Sequence, residues 1–341
     1  MIRVHRGYLQ TGQRKCYDTA GREIPCPGSG QDGELAAGIP WPAPRFSLLG
    51  EVVLDNLTGL VWSRDANLAE FPQTWQEALD TVVLLNERQT FGFADWRLPN
   101  RRELLSLMDY QATKPPMPAA HPFVNIFQGW YWTATTAAIN PAYAWYVHLA
   151  GARMFYGRKD QYYFLWPVRG KGGNLLPRTG QHRCYDSRGD EIACPDTGQD
   201  GAIRAGFAWP APRFAIMDAE VIDRVTGLYW LQQADITGKP VSWDDALAAV
   251  SRLNRSRPHG WSRWRLPNIN ELESLVDCAN HNPALPVDHP FTDVRNEYWS
   301  STTSVFAPEW AWALYLHKGA LGVGLKQGRH FYVWPVCDSQ A

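Results

Sequence analysis

Apolar side chains recur at helical spacing in two stretches, and each stretch occurs twice along the chain. The stretch at Thr74 opens with a capping box, in which the Thr74 hydroxyl and the Glu77 carboxylate bind N–H groups at a helix start. Apolar residues then follow at intervals of three and four and predict a helix with one buried face: Trp75, Ala78, Leu79, Val82 and Leu85. Ser242 and Asp245 open an equivalent helix, whose apolar face is formed by Trp243, Ala246, Leu247, Val250 and Leu253.

A shorter helix and several strands follow in each copy. The short helix is predicted to begin at Asn100 and again at Asn268, each with a glutamate three residues later. Segments with strand-forming composition come next, at Tyr131–Thr136, Ala144–Leu149 and Tyr162–Val168, and at their counterparts. Helices and strands that occur in local runs predict an α+β fold rather than a parallel sheet.

The whole pattern repeats with an offset of 168 residues. Residues 11–46 and 179–214 are identical at 23 of 36 positions, and both are rich in glycine and proline. A period of this length is too long for a solenoid and indicates two copies of one domain. We therefore expect a first repeat at 1–170, a linker at 171–178 and a second repeat at 179–341.

Each repeat has two parts that differ in composition. Residues 11–46 and 179–214 predict turns and short strands, and we expect each to form a hairpin segment. The folded domains that follow are expected at 47–170 and 215–341, which is an ordinary domain size.

The six cysteines predict disulfide bonds. Cys16 and Cys26 are ten residues apart, as are Cys184 and Cys194, and an Asp-x-x-Gly turn signal lies between the members of each pair. Each hairpin is therefore expected to carry one disulfide worth about 2–3 kcal/mol. Cys278 and Cys337 occur only in the second copy, which predicts a third disulfide; the alternative is two buried thiols.

Charge and composition exclude several classes of protein. With 33 basic and 34 acidic residues, the net charge of -1 argues against nucleic-acid binding through a basic face. No stretch of about 18 apolar residues occurs, so no membrane span is predicted. Three disulfides indicate an extracytoplasmic location, although Met1–Gln10 does not form a complete signal peptide.

Long motifs carry a resemblance to a known family. TGQxxCYDxxGxEIxC, GQDG, DNLTGLVW, DWRLPN, HPF, YWTATT and WPVRG occur in this order in the first copy, and each recurs in the second copy, unchanged or with substitutions. The chain resembles bacterial proteins of the Lcl C-terminal family, DUF1566, and the resemblance covers nearly its whole length twice. It implies two C-type-lectin-like domains related to formylglycine-generating enzymes, each preceded by the hairpin segment. It also implies a surface binding module, because the best-studied type of member is an adhesin for sulfated glycosaminoglycans.

One segment near the end of each repeat is a candidate ligand-binding loop. Both segments combine cations with aromatic residues, which suits the recognition of sulfate or carboxylate on a glycan. The candidates in the first copy are His148, Arg153, Tyr156, Arg158 and Lys159, and those in the second are His317, Lys318, Lys326, Arg329 and His330. The alternative is an ordinary solvated loop. The tryptophans that recur in both copies are expected in the core, whereas Tyr156, opposite Gly324, differs between copies as a binding residue would.

No cofactor is predicted, and calcium is the one metal with candidate ligands. These are Asp18, Asp32, Asp186, Asp196 and Asp200, and the more favoured interpretation is that they form Asp-Gly turns. No catalytic constellation or phosphate loop is present, so we expect a protein that is not an enzyme.

The sequence therefore predicts a non-catalytic, adhesin-like recognition module. Its expected partner is a glycan or an anionic polysaccharide, bound by loops on a rigid scaffold. The alternative is a structural or assembly protein that contacts other surface proteins, or a homo-oligomer, in an extracellular filament or envelope complex.

Overall fold

The computed structural model of the chain describes residues 7–173, 175–256 and 263–338. These residues form two compact units. The domain-1 unit comprises Pro40–Ala208 and Asp277–Ala279. The domain-2 unit comprises Met1–Ile39, Trp209–Val276 and Asn280–Ala341. The sequence grouped each hairpin segment with the domain that follows it, whereas the units group most of each hairpin segment with the other copy.

The predicted helices are confirmed. Both capping boxes of the domain-1 unit form, with Thr74 and Glu77 at one helix and Asn100 and Glu103 at the other. In the domain-2 unit, Asn268 and Glu271 form the matching box. The helices span Trp75–Glu87, Arg101–Ser106, Trp243–Ser256 and Ile269–Leu275, and a 3₁₀ turn spans Thr90–Gly92. Two single-turn helices, Asp32–Leu35 and Asp200–Ile203, were not predicted.

Each domain contains two sets of antiparallel strands. In the domain-1 unit, four strands pair in the order Phe46–Leu49, Val52–Asp55, Val61–Ser63 and Val168–Arg169, and three others pair consecutively: Trp130–Thr136, Tyr143–His148 and Met154–Arg158. In the domain-2 unit, the corresponding sets are Phe214–Met217, Glu220–Asp223, Tyr229–Leu231 and Val336–Cys337, and then Glu297–Thr303, Trp310–Tyr315 and Ala320–Leu325.

Two predictions about these strands were wrong. Tyr162–Val168 is not a strand: Tyr163 and Phe164 form isolated bridges, and the last strand is Val168–Arg169. Pro167 interrupts this segment, because proline has no N–H to donate to a strand partner. The candidate loops at Arg153–Lys159 and Lys318–Arg329 instead contain the strands Met154–Arg158 and Ala320–Leu325.

The tryptophans that recur in both copies lie in the core, as predicted. Trp62 and Trp166 pack edge to face with ring centroids 5.5 Å apart, and Trp230 and Trp334 do the same at 5.3 Å. Trp96 and Trp264 are also buried. Edge-to-face packing is favourable for aromatic rings, so these pairs stabilise both domains beyond the area that they bury.

The two hairpin disulfides are confirmed, and the third is not formed. Cys16 bonds to Cys26 and Cys184 to Cys194, and each bond closes a two-stranded hairpin, Cys16–Tyr17 with Glu23–Ile24 or Cys184–Tyr185 with Glu191–Ile192. Cys278 and Cys337 are buried thiols. The backbone N–H of Cys278 donates to Thr179, whereas Cys337 pairs with Tyr229 in a strand. Burial raises the pKa of the Cys337 thiol to about 12, so it is not a thiolate at neutral pH.

The hairpin segments are held by the same buried contacts in both units. In the domain-1 unit, Asp200 accepts hydrogen bonds from the hydroxyls of Thr135 and Thr179, at 2.8 and 2.7 Å. The amide of Gln181 bonds both the N–H and the carbonyl of Thr136, each at 2.8 Å. We call this arrangement the hairpin dock.

The dock of the domain-2 unit uses the equivalent residues. Asp32 accepts from Thr11 and Thr302 at 2.7 Å, and Gln13 bonds both backbone groups of Thr303 at 2.8 Å. The chain path differs between the two units: one dock joins a domain to the segment that follows it, whereas the other joins the N-terminal segment to the C-terminal domain. The repeated TGQ and QDG motifs therefore encode docking.

Candidate functional site

Two of the predicted ligand-binding lysines are buried. Lys159 is 1% exposed, and its ammonium donates to the carbonyls of Tyr185 and Asp186, both at 3.1 Å. It also lies 4.0 Å from the ring centroid of Trp75. Burial lowers the pKa of Lys159 to about 7. This lysine fastens the hairpin segment to the domain and is not accessible to a ligand.

Lys326 has the same role in the domain-2 unit. It is 0% exposed, and its ammonium donates to the carbonyls of Tyr17 and Asp18 at 3.1 and 3.2 Å, above the ring of Trp243. Burial lowers its pKa to about 7 as well. Lys159 and Lys326 therefore occupy equivalent positions in the two units.

The other predicted residues are only partly brought together. Tyr156 packs edge to face against Trp145 at 5.2 Å, and Arg158 forms an exposed ion pair with Asp160. In the register of the strands, the counterpart of Tyr156 is Val323, because Tyr156 pairs with Trp145 as Val323 pairs with Trp312. The predicted match of Tyr156 to Gly324 was therefore off by one residue. In the domain-2 unit, Arg329 pairs with Asp245, apart from His317 and Lys318, which flank Tyr315.

The structure places His148 and Arg153 beside an exposed tryptophan. Trp130 is 45% exposed, and its ring stacks on His148 with centroids 5.2 Å apart and an interplanar angle of 19°. Trp130 and His148 face each other at the end of two paired strands, and the backbone of Arg153 accepts from the N–H of His148. Tyr163 also contacts Trp130, with ring centroids 5.5 Å apart. We call Trp130, His148, Arg153 and Tyr163 the aromatic platform.

The platform carries a positive charge without a charged histidine. Burial and the nearby charge of Arg153 both lower the pKa of His148, so its ring is neutral near pH 7. Arg153 is exposed and supplies the cation. A flat aromatic surface beside a guanidinium has the features needed to stack on a sugar and bind an anionic substituent.

The same position in the domain-2 unit has different chemistry. Glu297 occupies the place of Trp130 and lies opposite Tyr315 in the strand register. The ammonium of Lys318 lies 5.1 Å from the ring of Tyr315. At this position the second unit therefore has a glutamate in place of the exposed tryptophan, and charges of both signs lie near Tyr315.

The acidic residues considered for calcium do not come together. Asp18 and Asp186 accept backbone N–H groups in the hairpin turns, and Asp32 and Asp200 are buried in the docks. Asp196 has a φ of 63°, in the left-handed region typical of such turns. Among the described residues, no group of three or more potential metal ligands is found.

Comparison with known protein families identifies the chain. The model of the Lcl C-terminal domain matches residues 51–169 and again residues 219–337. The protein belongs to this family. No curated protein matches the chain significantly. In the part of it that the structure describes, no helix is both long and apolar enough to cross a membrane.

Sequence reasoning missed Trp130 as a binding residue, and it missed the docking role of the residues that form the hairpin docks. Trp130 differs between the copies, with Glu297 at the equivalent position, and a search for aromatic residues unique to one copy would have found it. The dock residues could have been found in the opposite way, because they are identical in both copies: Thr11, Gln13 and Asp32 recur as Thr179, Gln181 and Asp200.

Proposed function

We propose that this protein is a non-catalytic recognition module that binds a glycan at the aromatic platform of the domain-1 unit. The observation that carries the proposal is the half-exposed Trp130, stacked on His148, whose own neighbour is the exposed Arg153. Sugar rings stack on exposed indoles through their C–H faces, and a guanidinium binds carboxylate or sulfate strongly.

The scaffold supports a binding role in a second way. His148 lies at the end of a strand and Trp130 at the start of its partner, and both strands are anchored in the core through Trp132 and Val147. A platform on paired strands loses little conformational freedom when a ligand binds, which favours affinity. The two hairpin disulfides support a place outside the cytoplasm, where such bonds persist. A relationship to C-type lectins remains part of this proposal.

Binding to an array of neutral, carboxylated and sulfated glycans tests the proposal. Trp130→Ala is expected to weaken binding about fivefold to tenfold, because a stacked aromatic contributes on the order of 1–1.5 kcal/mol. Arg153→Gln is expected to weaken binding to charged glycans and to reduce its salt dependence.

The matched control is Phe71→Ala. Phe71 is 72% exposed, belongs to the same unit and is not part of the platform. Equal binding by the Trp130→Ala and Phe71→Ala variants would reject the platform as the binding site.

The hairpin dock favours a second function, assembly through protein–protein contacts. Because the two docks use equivalent residues, an N-terminal hairpin segment has the groups needed to dock on another copy of the chain. Refolding at high concentration, followed by light scattering and electron microscopy, tests this function. Regular polymers support it, and monomers at every concentration reject it.

A further inference from the structure

A cavity of about 290 Å³ lies in the domain-1 unit, apart from the residues of the aromatic platform. The domain contributes Asp95 and Arg97, the linker contributes Lys171 and Arg178, and the docked hairpin segment contributes Arg204. Four cations and one carboxylate thus line it. Asp95 is paired with Arg169 at 2.6 Å and Arg97 with Glu103 at 2.6 Å, so the lining retains an excess of positive charge even though the whole chain is nearly neutral.

The deepest cation is fixed in place. Arg97 is only 8% exposed, and both of its terminal nitrogens donate to the carboxylate of Glu103 at 2.6 Å. One of these nitrogens also donates to the carbonyl of Gly170, again at 2.6 Å. A guanidinium held at its inner edge presents its remaining surface in one orientation, as a binding site for an anion requires.

The domain-2 unit shows which chemical group fits next to this arginine. Arg265 and Glu271 form the same buried pair there, but Asp338 replaces Gly170. The Asp338 carboxylate accepts from Arg265 at 3.0 Å and from the hydroxyl of Tyr8 at 2.9 Å. Burial alone would raise the pKa of Asp338, but Arg265 and Tyr8 outweigh this and hold it below the usual value. The fold therefore stabilises an ionised carboxylate at this position.

We propose that the domain-1 unit binds a carboxylate-bearing ligand in this cavity, where the domain-2 unit supplies the carboxylate of its own Asp338. The cavity is at the small end of ligand pockets, and it fits one uronic acid residue or a small tricarboxylate. This site is independent of Trp130.

Isothermal titration calorimetry with citrate, glucuronate and a glucuronate oligosaccharide tests the proposal on the full chain. The test variant is Lys171→Gln with Arg204→Ala, since both residues are exposed and Ala36 already occupies the position of Arg204 in the domain-2 unit. Loss of two cations is expected to weaken binding tenfold to a hundredfold. Arg88→Gln, an exposed cation of the same unit that does not line the cavity, is the control and should bind like the wild type.

The outcomes separate the sources of the carboxylate and the two proposed sites. Binding of citrate alone assigns the site to small free carboxylates, and binding of the uronates assigns it to a polysaccharide. Trp130→Ala should leave citrate affinity unchanged, so failure of the platform does not affect this result. The proposal is overturned if none of the three probes binds, or if the double variant binds as well as the wild type.

Discussion

The two units are nearly identical where the hairpin segments dock and different where ligands would bind. The carboxylates of Asp32 and Asp200 each accept from two threonine hydroxyls, with distances that agree within 0.1 Å. At the surface, Trp130 in one unit is replaced by Glu297 in the other. Buried polar groups must all find partners, so they vary little between the copies, whereas exposed positions are free to diverge.

A second difference lies beside the paired arginine and glutamate. In the domain-2 unit, Arg265 donates to the carboxylate of Asp338 and to the hydroxyl of Tyr8 in addition to Glu271, whereas in the domain-1 unit Gly170 stands in the place of Asp338 and a cavity with excess positive charge lies next to Arg97. Both differences assign the proposed ligand surfaces to the domain-1 unit. The domain-2 unit shares the scaffold but has its equivalent positions filled or changed.

The largest expected effect tests whether the two docks are equivalent. Gln181→Ala leaves the buried N–H and carbonyl of Thr136 without their partner, and Gln13→Ala does the same at Thr303. Each change is expected to cost about 2–4 kcal/mol of docking stability, because buried backbone groups lose their hydrogen bonds. Hydrogen exchange of residues 16–26 and 184–194 measures the two docks separately.

The control is Gln76→Ala, which removes only an exposed bond to Asp80 and should change stability by less than about 0.5 kcal/mol. If one dock variant resembles this control while the other opens its hairpin segment, the two docks are not equivalent.

The next effect is a dependence on pH that both docks should share. Burial raises the pKa of Asp32 and of Asp200 to about 6, from an ordinary value of 3.8. The folded state therefore holds these protons more tightly than the unfolded state does. Each carboxyl contributes stability that is fully present below pH 3.8 and is lost as the pH rises through 6, by up to roughly 3 kcal/mol.

Asn variants isolate this contribution from the other titrating groups. Asp32→Asn and Asp200→Asn keep an oxygen that accepts from the threonines but remove the ionisation. The difference in unfolding free energy between wild type and variant, measured by urea denaturation from pH 4 to pH 7, should change with pH. A difference that is the same at every pH would show that these carboxyls titrate normally.

The smallest expected effect concerns the platform. Glu297→Trp, introduced into a Trp130→Ala chain, should place an indole opposite Tyr315 in the domain-2 unit and restore glycan binding several-fold. Glu297→Gln removes the same charge without adding a ring and is the control. If both variants bind glycan equally weakly, the presence of Trp130 in one unit alone does not explain why the two units differ in glycan binding.

Most of the local structure could be predicted from the sequence. The capping boxes, the apolar stripes of the long helices, the hairpin disulfides and the buried tryptophans depend on residues close together or on a short period. The third disulfide could not be predicted, because shared presence in one copy says nothing about the distance between Cys278 and Cys337.

The candidate site was less predictable, for a related reason. Lys159 looks like a surface cation in the sequence, and only the docked hairpin segment turns it into a buried one. His148 and Arg153 were found from their chemistry, but the tryptophan that they accompany was not.

The sequence by itself determined that this chain contains two copies of an α+β domain, each with a disulfide-closed hairpin segment, because these features follow from local spacing and repetition. Only the tertiary structure decided which domain each hairpin segment docks on, which lysines are covered and where a basic cavity stays open. Those outcomes depend on contacts between distant residues, such as Gln13 with Thr303 in the domain-2 unit and Thr135 with Asp200 in the domain-1 unit, and no local pattern specifies such a pairing.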